Sequence, residues 1–551
     1  MALARRSRQV LFFAGVVGAL TGLAVAGFER LTSASLRGVT HLSLPAQACA
    51  PLLGLFLALL CLRLGGRGTT PSTSDEYIRG FHEHGRLMDL RLVPARMLAA
   101  VATLGSGVPL GYEGPSLYAG AAIGSAIQRR LGRIFTVDES KLLFVAGAAA
   151  GVAAIFKAPV TGLVFALEVP YQEDLARHML LPAAISAAAG YVTFAAVAGT
   201  EPILTVGGQA SFSLVDLGGA AVVGLLAGLL ARLFVMIVCQ AKALSTRGHP
   251  LVRVLVAGAV LGATVVLAHF LSDDPLALGP GYDALRWALN PDRTLVAIAV
   301  LGTLRVAGTA AAVGGGGVGG LFIPLVIQGA LVGRGVGTIL DPASGTLFPV
   351  VGMAAFLGAG YRVPLAAVVF VAEFTGRPGF VVPGLIAAVV AQLVMGRSSV
   401  SPYQVAGRVG HLERRLQLPL ASVVDTEAPT VPPDATIEEL FWQHLIGGRR
   451  RSVAVVDGST YLGLARAEDL ARADRDTWAT ATVDQIMRTD VPVATTTWVV
   501  SDAIRAMEAA GVDRLAVCDG ERFVGVIGAE DIVRLEEILR ESTAGPWPPG
   551  E

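Results

Sequence analysis

Between about residues 10 and 400 the chain is a succession of long apolar runs, with charges confined to short patches between them. Nothing else narrows its folding as much. A soluble domain usually carries about a quarter charged residues, whereas this chain carries 16%. The runs fall near 10–27, 46–64, 92–110, 142–168, 179–198, 214–240, 251–272, 293–313, 318–338, 346–374 and 379–396. Several fall short of the ~20 residues a simple membrane span needs, and many are broken by Gly or Pro. Glycine supplies 66 of the 551 residues, well above the usual ~7%. Irregular backbone cannot face lipid, so such segments predict re-entrant, discontinuous helices around a buried polar site. After about Gly410 the charge density rises sharply, which predicts a membrane body over 1–410 and a soluble tail behind it.

The start, Met1 to Arg8 with arginines at 5, 6 and 8, has the look of a signal peptide. Its apolar run continues through Ala26, so it reads as a first span with the N-terminus in the cytosol. Net charge is zero, which points to no nucleic acid and no acidic partner. The cysteines Cys49, Cys61, Cys239 and Cys518 are scattered and suggest neither disulfides nor a metal site.

The body repeats itself. Phe156-Lys-Ala-Pro159 with Phe165 and Glu168 matches Tyr361-Arg-Val-Pro364 with Phe370 and Glu373, displaced by 205 residues. Upstream, Pro115, Gly120, Ala121 and Gly124 match Pro324, Gly329, Ala330 and Gly333. Two copies of one unit in a membrane predict two half-domains with a site between them. The tail repeats at a spacing of 62: Val453 to Gly458 recurs as Leu515 to Gly520, and Gly463 to Asp469 as Gly525 to Asp531. Each copy reads as a helix (Ile437–Leu445; Val500–Ala510), a strand, an Asp-Gly turn, a second strand and a helix.

Two stretches carry the chemistry. Gly105-Ser-Gly-Val-Pro-Leu-Gly111-Tyr-Glu113-Gly-Pro115 sets a carboxylate among glycines at the start of an apolar helix. A Glu inside a membrane segment is costly and marks function by default. At a helix N-terminus it stands where exposed N–H groups attract negative charge, so it can occupy an anion site and leave when an anion arrives. Gly314 to Gly320, leading into Leu321-Phe322-Ile323-Pro324, contains a G-x-G-x-x-G but no βαβ context, so a dinucleotide reading is discarded. It reads instead as bare backbone N–H groups opening a helix toward an anion.

Gly-Tyr-Glu-Gly-Pro at 111–115, Gly-Leu-Phe-Ile-Pro at 320–324 and Pro402-Tyr403 resemble the CLC chloride channel and transporter family over roughly residues 10–405. The tail resembles the CBS domain pair of many such proteins, at about 420–475 and 484–540, with 541–551 a disordered end. The resemblance implies an all-α polytopic body of inverted repeats, an α/β CBS tail, and a homodimer with one anion path per subunit. It makes Glu113 the gate and the N–H groups around Gly114, Leu321, Phe322 and Ile323 the anion sites. Tyr403 would supply a hydroxyl at the inner end of the path.

The sequence departs from that family in four places. Its first motif, Gly-Ser-Gly-Ile-Pro, aligns with Pro71-Ser72-Thr73-Ser74-Asp75, so Ser72 is the expected anion-binding hydroxyl and a one-residue slip gives Pro71 or Thr73. Tyr112 stands where a Lys or Arg usually precedes the gate. Val169 follows Glu168 where exchangers carry a proton-relaying glutamate, which favours a passive channel over proton-coupled exchange unless a water chain or Glu173 substitutes. In the tail, Asp469 and Asp531 stand as ribose-holding residues, but Arg466 and Gly528 replace the hydroxyls beside them, leaving adenine-nucleotide binding open. No cofactor is required on this reading, and the membrane is expected to be the cell membrane, with both termini cytosolic. A CBS-regulated divalent-cation transporter is the more distant alternative, disfavoured because Glu113, Glu168 and Glu373 are far apart in sequence. No catalytic triad, P-loop or metal cluster argues for an enzyme, and His82 and His84 read as loop residues.

Overall fold

A computed structural model describes every residue except 1, 66–69, 84–87, 132–140, 202, 205–211, 341–344, 408–417, 521, 529 and 532–551. His84 and the 541–551 end lie outside the described residues. The chain forms two compact units, Met1–Arg408 and Val409–Glu551.

Among the described residues the first unit holds sixteen helices of eight residues or more, and they fall into two sets of eight. The first set is α1 (Ala2–Thr40), α2 (Leu44–Leu64), α3 (Ser74–His82), α4 (Val93–Gly105), α5 (Glu113–Arg130), α6 (Leu142–Phe156), α7 (Pro159–Glu168) and α8 (Leu180–Ala198). The second is α9 (Leu214–Leu244), α10 (Pro250–His269), α11 (Tyr282–Leu289), α12 (Leu295–Gly314), α13 (Phe322–Leu340), α14 (Leu347–Tyr361), α15 (Pro364–Thr375) and α16 (Val381–Met395). The packing repeats: α1 lies on α8 as α9 lies on α16, α5 on α6 as α13 on α14, and α2 on α4 as α10 on α12. Eight helices among the described residues are long and apolar enough to cross a membrane.

The apolar runs at 142–168 and 346–374 are each broken at a proline into two helices, as discontinuous helices require. Lys157 (φ 53°) and Arg362 (φ 57°) end α6 and α14 in the left-handed conformation, and Pro159 and Pro364 start new helices two residues later. Proline cannot continue a helix and biases the preceding residue away from it, so the break is local chemistry. Cations at both breaks also suit the negative ends of α6 and α14. Hydropathy alone misses α3, α5 and α11, whose polar or small residues dilute the apolar signal.

Close approach explains the glycine excess where α5 meets α6. A Cβ on Gly120 would stand 2.0 Å from the Gly147 carbonyl oxygen, and one on Gly124 1.9 Å from that of Leu143. The second set repeats this, with Gly329 against Gly352 at 2.1 Å and Gly333 against Phe348 at 2.0 Å. Without a hydrophobic drive between helices in lipid, such backbone proximity is how they gain packing energy.

The tail builds one six-stranded sheet in the order β1-β2-β3-β6-β5-β4 (Thr430–Val431, Ser452–Asp457, Thr460–Arg466, Arg522–Gly528, Arg514–Asp519 and Ala494–Thr495 in that spatial order). The two sequence copies are its two halves, joined where Thr460 pairs with Arg522. Gly458 and Gly520 turn the two hairpins at φ 59° and 63°. The expected helices form at Ile437–Glu439, running on as a wider-wound Leu440–Gly447, and at Val500–Ala510.

The helix crossing predicts its own test. Gly329→Ala should cost about 1–3 kcal/mol through overpacking and lower the thermal unfolding midpoint in detergent. Gly218→Ala, with open space around its Cβ, should leave the midpoint unchanged or raise it.

Candidate functional site

The loops ahead of α5 and α13 meet in an antiparallel bridge. Gly111 N–H donates to the Gly320 carbonyl and Gly320 N–H to that of Gly111, both at 2.8 Å. These glycines occupy equivalent places, each two residues before the first residue of its helix, Glu113 or Phe322. The bridge therefore aims two helix N-termini, with their unpaired N–H groups and positive dipole ends, at one point.

Glu113 fills that point. Its side chain is 1% exposed; Oε1 accepts the Phe322 N–H at 2.6 Å, and Oε2 is buried without a partner. A charge-assisted hydrogen bond contributes roughly 1.5–3 kcal/mol, whereas an ionised carboxylate loses several kcal/mol on leaving water. The carboxylate is thus a replaceable occupant of an N–H site. Phe322 is fixed by an aromatic cage drawn from both repeats, its ring 4.6 Å from Phe156, 5.2 Å from Phe165 and 4.7 Å from Phe370.

Two separate cavities reach the residues next to Glu113 and Phe322. One, of about 550 Å³, is lined by Glu29, Arg37, Tyr112, Lys157, Tyr282 and Asp283 among others. The other, of about 50 Å³, is lined by Ser72, Ser74, Asp75, Lys242, Leu321 and Tyr361 among others. Tyr112 and Leu321, the neighbours of Glu113 and Phe322, each belong to one cavity only. The cavities are also built from equivalent places: the last turn of α1 or α9, the first turn of α3 or α11, and the loop before α5 or α13.

The remaining expected residues fall as follows. Gly114 lies against Gly320 and Thr73: a methyl on it would meet the Thr73 hydroxyl at 2.6 Å and the Gly320 Cα at 3.1 Å. Leu321 lines the small cavity and Ile323 is buried in the first turn of α13. Ser72 reaches the small cavity, but its hydroxyl donates to Asp75 Oδ2 at 2.9 Å, whereas the Thr73 hydroxyl is buried and unpartnered. Tyr403 needs correcting. It is 43% exposed and does not line the small cavity, because its neighbour Gln404 turns inward. Gln404 Nε2 donates to the carbonyls of Val169, Tyr171 and Tyr361 at 2.8, 3.2 and 2.7 Å. The hydroxyl in the cavity belongs to Tyr361, which faces Ser74 and the Leu321 main chain. Sequence reasoning marked Tyr361 as the repeat mate of Phe156; the extra hydroxyl was the signal it left unused.

Glu168 and Glu373 are reciprocal helix caps. Glu168 at the end of α7 accepts the N–H groups of Leu365 and Ala366 at 3.1 and 2.8 Å. Glu373 in α15 accepts those of Val160 and Thr161 at 3.0 and 2.7 Å. Val169 is buried. Glu173, the proposed substitute acid, is exposed and paired with Arg362 at 3.2 Å. Among the described residues no group of His, Cys, Asp and Glu could hold a metal, and His82 Nε2 lies 2.7 Å from the Pro170 carbonyl.

In the tail, Asp469 is buried and held by Arg466 in a two-pronged pair at 2.9 and 3.0 Å, with Arg472 at 3.6 Å. The arginine that replaces the expected hydroxyl thus occupies the carboxylate a ribose would need. Asp531 Oδ2 accepts the Gly528 N–H at 2.8 Å.

The Gln404 contacts generate a prediction. Gln404→Leu strands three carbonyls, so it should destabilise the protein by about 1–3 kcal/mol, read as a lower unfolding midpoint with reduced anion flux. Tyr403→Phe should change neither.

Comparison with known proteins agrees with this geometry. The family described as voltage gated chloride channel matches residues 53–396, and the CBS domain matches 420–476 and 483–537. Among curated relatives, the H(+)/Cl(-) exchange transporter ClcA of Vibrio campbellii is 28% identical over 416 residues, covering 71% of this chain and 88% of that protein. That of Vibrio parahaemolyticus is 29% identical over 423 residues, with the same coverage. Similar solved structures include a slow cyanobacterial Cl-/H+ antiporter (23% identity, TM-score 0.61, 70% of this chain and 94% of that one). A CLC-type fluoride/proton antiporter is 21% identical (TM-score 0.62, 73% and 98%). A eukaryotic CLC transporter is 19% identical (TM-score 0.58) and covers 95% of this chain and 97% of its own. With more than half of its length matched, the chain belongs to the voltage-gated chloride channel family as an integral multi-pass membrane protein with a CBS pair for a tail.

Proposed function

We propose that the protein exchanges chloride for protons through a path gated by Glu113. The observation that carries this is the Glu113 carboxylate itself, seated on the Phe322 N–H between two cavities with one oxygen unpartnered. An anion arriving at those N–H groups competes with the carboxylate, and a displaced carboxylate is free to take a proton, so one group serves both ions. Relatives named as H(+)/Cl(-) exchange transporters support exchange over the passive channel that Val169 suggested.

The arginines before the first span place the N-terminus in the cytosol. The cavity at the far end of α1 is then the outer mouth, where Arg37 and Lys157 stand in for the charge missing at Tyr112. The small cavity is the inner mouth, and the CBS tail is cytosolic. By the resemblance, two copies assemble in the cell membrane, each with its own path. Thr73 supplies the anion-facing hydroxyl, because that of Ser72 is engaged by Asp75. The reciprocal capping by Glu168 and Glu373 supports setting the cation-transporter reading aside, since neither carboxylate is free to hold an ion. In the CBS pair, Arg466 blocks Asp469 from a ribose.

Proteoliposomes loaded with chloride test the reading. An outward chloride gradient should drive proton uptake in the wild type, and Glu113→Ala should keep chloride flux while abolishing proton movement. Chloride flux without protons in the wild type would return the protein to the channel class. Thr73→Val should weaken chloride binding about 10- to 150-fold, the value of one hydrogen bond to a charged group, by calorimetric titration. Full-length wild type should bind AMP weakly or not at all, with Arg466→Ala binding it more tightly.

A further inference from the structure

An exchanger needs a proton acceptor at its inner mouth, and the acids first considered for it are engaged elsewhere. Val169 cannot ionise, Glu168 caps α15, and the exposed Glu173 is paired with the buried Arg362. The small cavity holds another acid. Asp75, the second residue of α3, is 6% exposed, receives Lys242 Nζ at 2.5 Å and the Ser72 hydroxyl at 2.9 Å, and lines the cavity with Ser74 and Tyr361. Lys242 Nζ also donates to the Val400 carbonyl at 2.7 Å. Tyr361 is fully buried, its hydroxyl faces Ser74, and it lies within electrostatic reach of both Asp75 and Glu113. Cys239, one turn before Lys242 on α9, is the other titratable group facing the pair, while Glu76 beside Asp75 is turned toward Arg79 and Arg96.

We infer that Asp75, paired with Lys242, takes up the proton at the inner mouth and that the Tyr361 hydroxyl relays it toward Glu113. The inference rests on the exchange reading. An anion entering the small cavity draws on the Lys242 ammonium, which weakens its hold on Asp75, and a carboxylate that loses its cation gains proton affinity. Anion entry and proton uptake are thereby coupled at one place. The proton passes from Asp75 through the Ser74 hydroxyl to the Tyr361 oxygen as the phenol gives its own proton toward the Glu113 carboxylate. One O–H bond breaks for each that forms, and no phenolate accumulates. The cavity, at about 50 Å³, has room for roughly three waters to complete the relay.

The repeat-equivalent positions at the opposite mouth are filled differently. There the second residue of α11, Asp283, is exposed and paired with Arg286 at 2.7 Å. The repeat mate of Tyr361 is Phe156, which has no hydroxyl to offer.

Simultaneous chloride and proton fluxes from proteoliposomes test this in wild type, Asp75→Asn, Asp75→Glu and Tyr361→Phe. Tyr361→Phe imposes the side chain of its repeat mate and keeps the ring packing, and chloride movement in each variant reports that it is folded. The proton-to-chloride ratio should fall about a hundredfold or more in Asp75→Asn and Tyr361→Phe, the lower end for losing a positioned acid or base, and should persist in Asp75→Glu. A wild-type ratio in Asp75→Asn or in Tyr361→Phe would overturn the relay while leaving exchange intact. A wild type that moves chloride without protons would overturn both.

Discussion

Two hydrogen bonds, Gly111 to Gly320 and back, organise this protein. Each loop belongs to a different half of the chain, and each ends at a helix N-terminus. Pairing them antiparallel forces the two helices to present their unsatisfied N–H groups to a shared volume deep in the protein. A side chain on either glycine would push Glu113 from its seat. A Cβ on Gly111 would meet Glu113 Oε2 at 1.9 Å, and one on Gly320 would meet Glu113 Oε1 at the same distance. The same repeat geometry makes the partner of Glu113 its own counterpart, since Glu113 and Phe322 each open the equivalent helix.

The other buried acids follow from that symmetry. Glu168 and Glu373 end equivalent helices, and each satisfies the orphan N–H groups at the start of the other. Four unsatisfied donors at a helix end are costly when buried, so these carboxylates serve structure across the half-domain boundary. Glu113 differs in having one partnered oxygen and one without. Held by a single hydrogen bond, Glu113 can leave its seat more easily than the doubly bonded caps.

Much of this was legible in the residues. The displaced copies at Pro159 and Pro364 announced two halves, the glycines around Glu113 announced a buried carboxylate at a helix start, and the 62-residue spacing announced the paired tail. What escaped depended on contacts between distant segments. A signature Pro-Tyr pair suggested Tyr403, but whether Tyr403 or Gln404 turns inward is decided by three carbonyls far away in sequence. Ser72 looked free until Asp75 claimed it, and Asp469 until Arg466 did. The pairing of Asp75 with Lys242 joins residues 167 apart, beyond any local pattern. Hydropathy passed over α5 too, but the Glu113-Gly-Pro115 start marked that helix in the sequence.

The central claim is that the Phe322 N–H is an anion site which Glu113 occupies in the anion's absence. Crystals of Glu113→Gln soaked in bromide, with anomalous scattering recorded at the bromine edge, address it directly. A bromide peak within hydrogen-bonding distance of the Phe322 N–H, with the substituted side chain displaced, is the predicted result. A map with no bromide at that amide and the substituted side chain still seated on it would contradict the account.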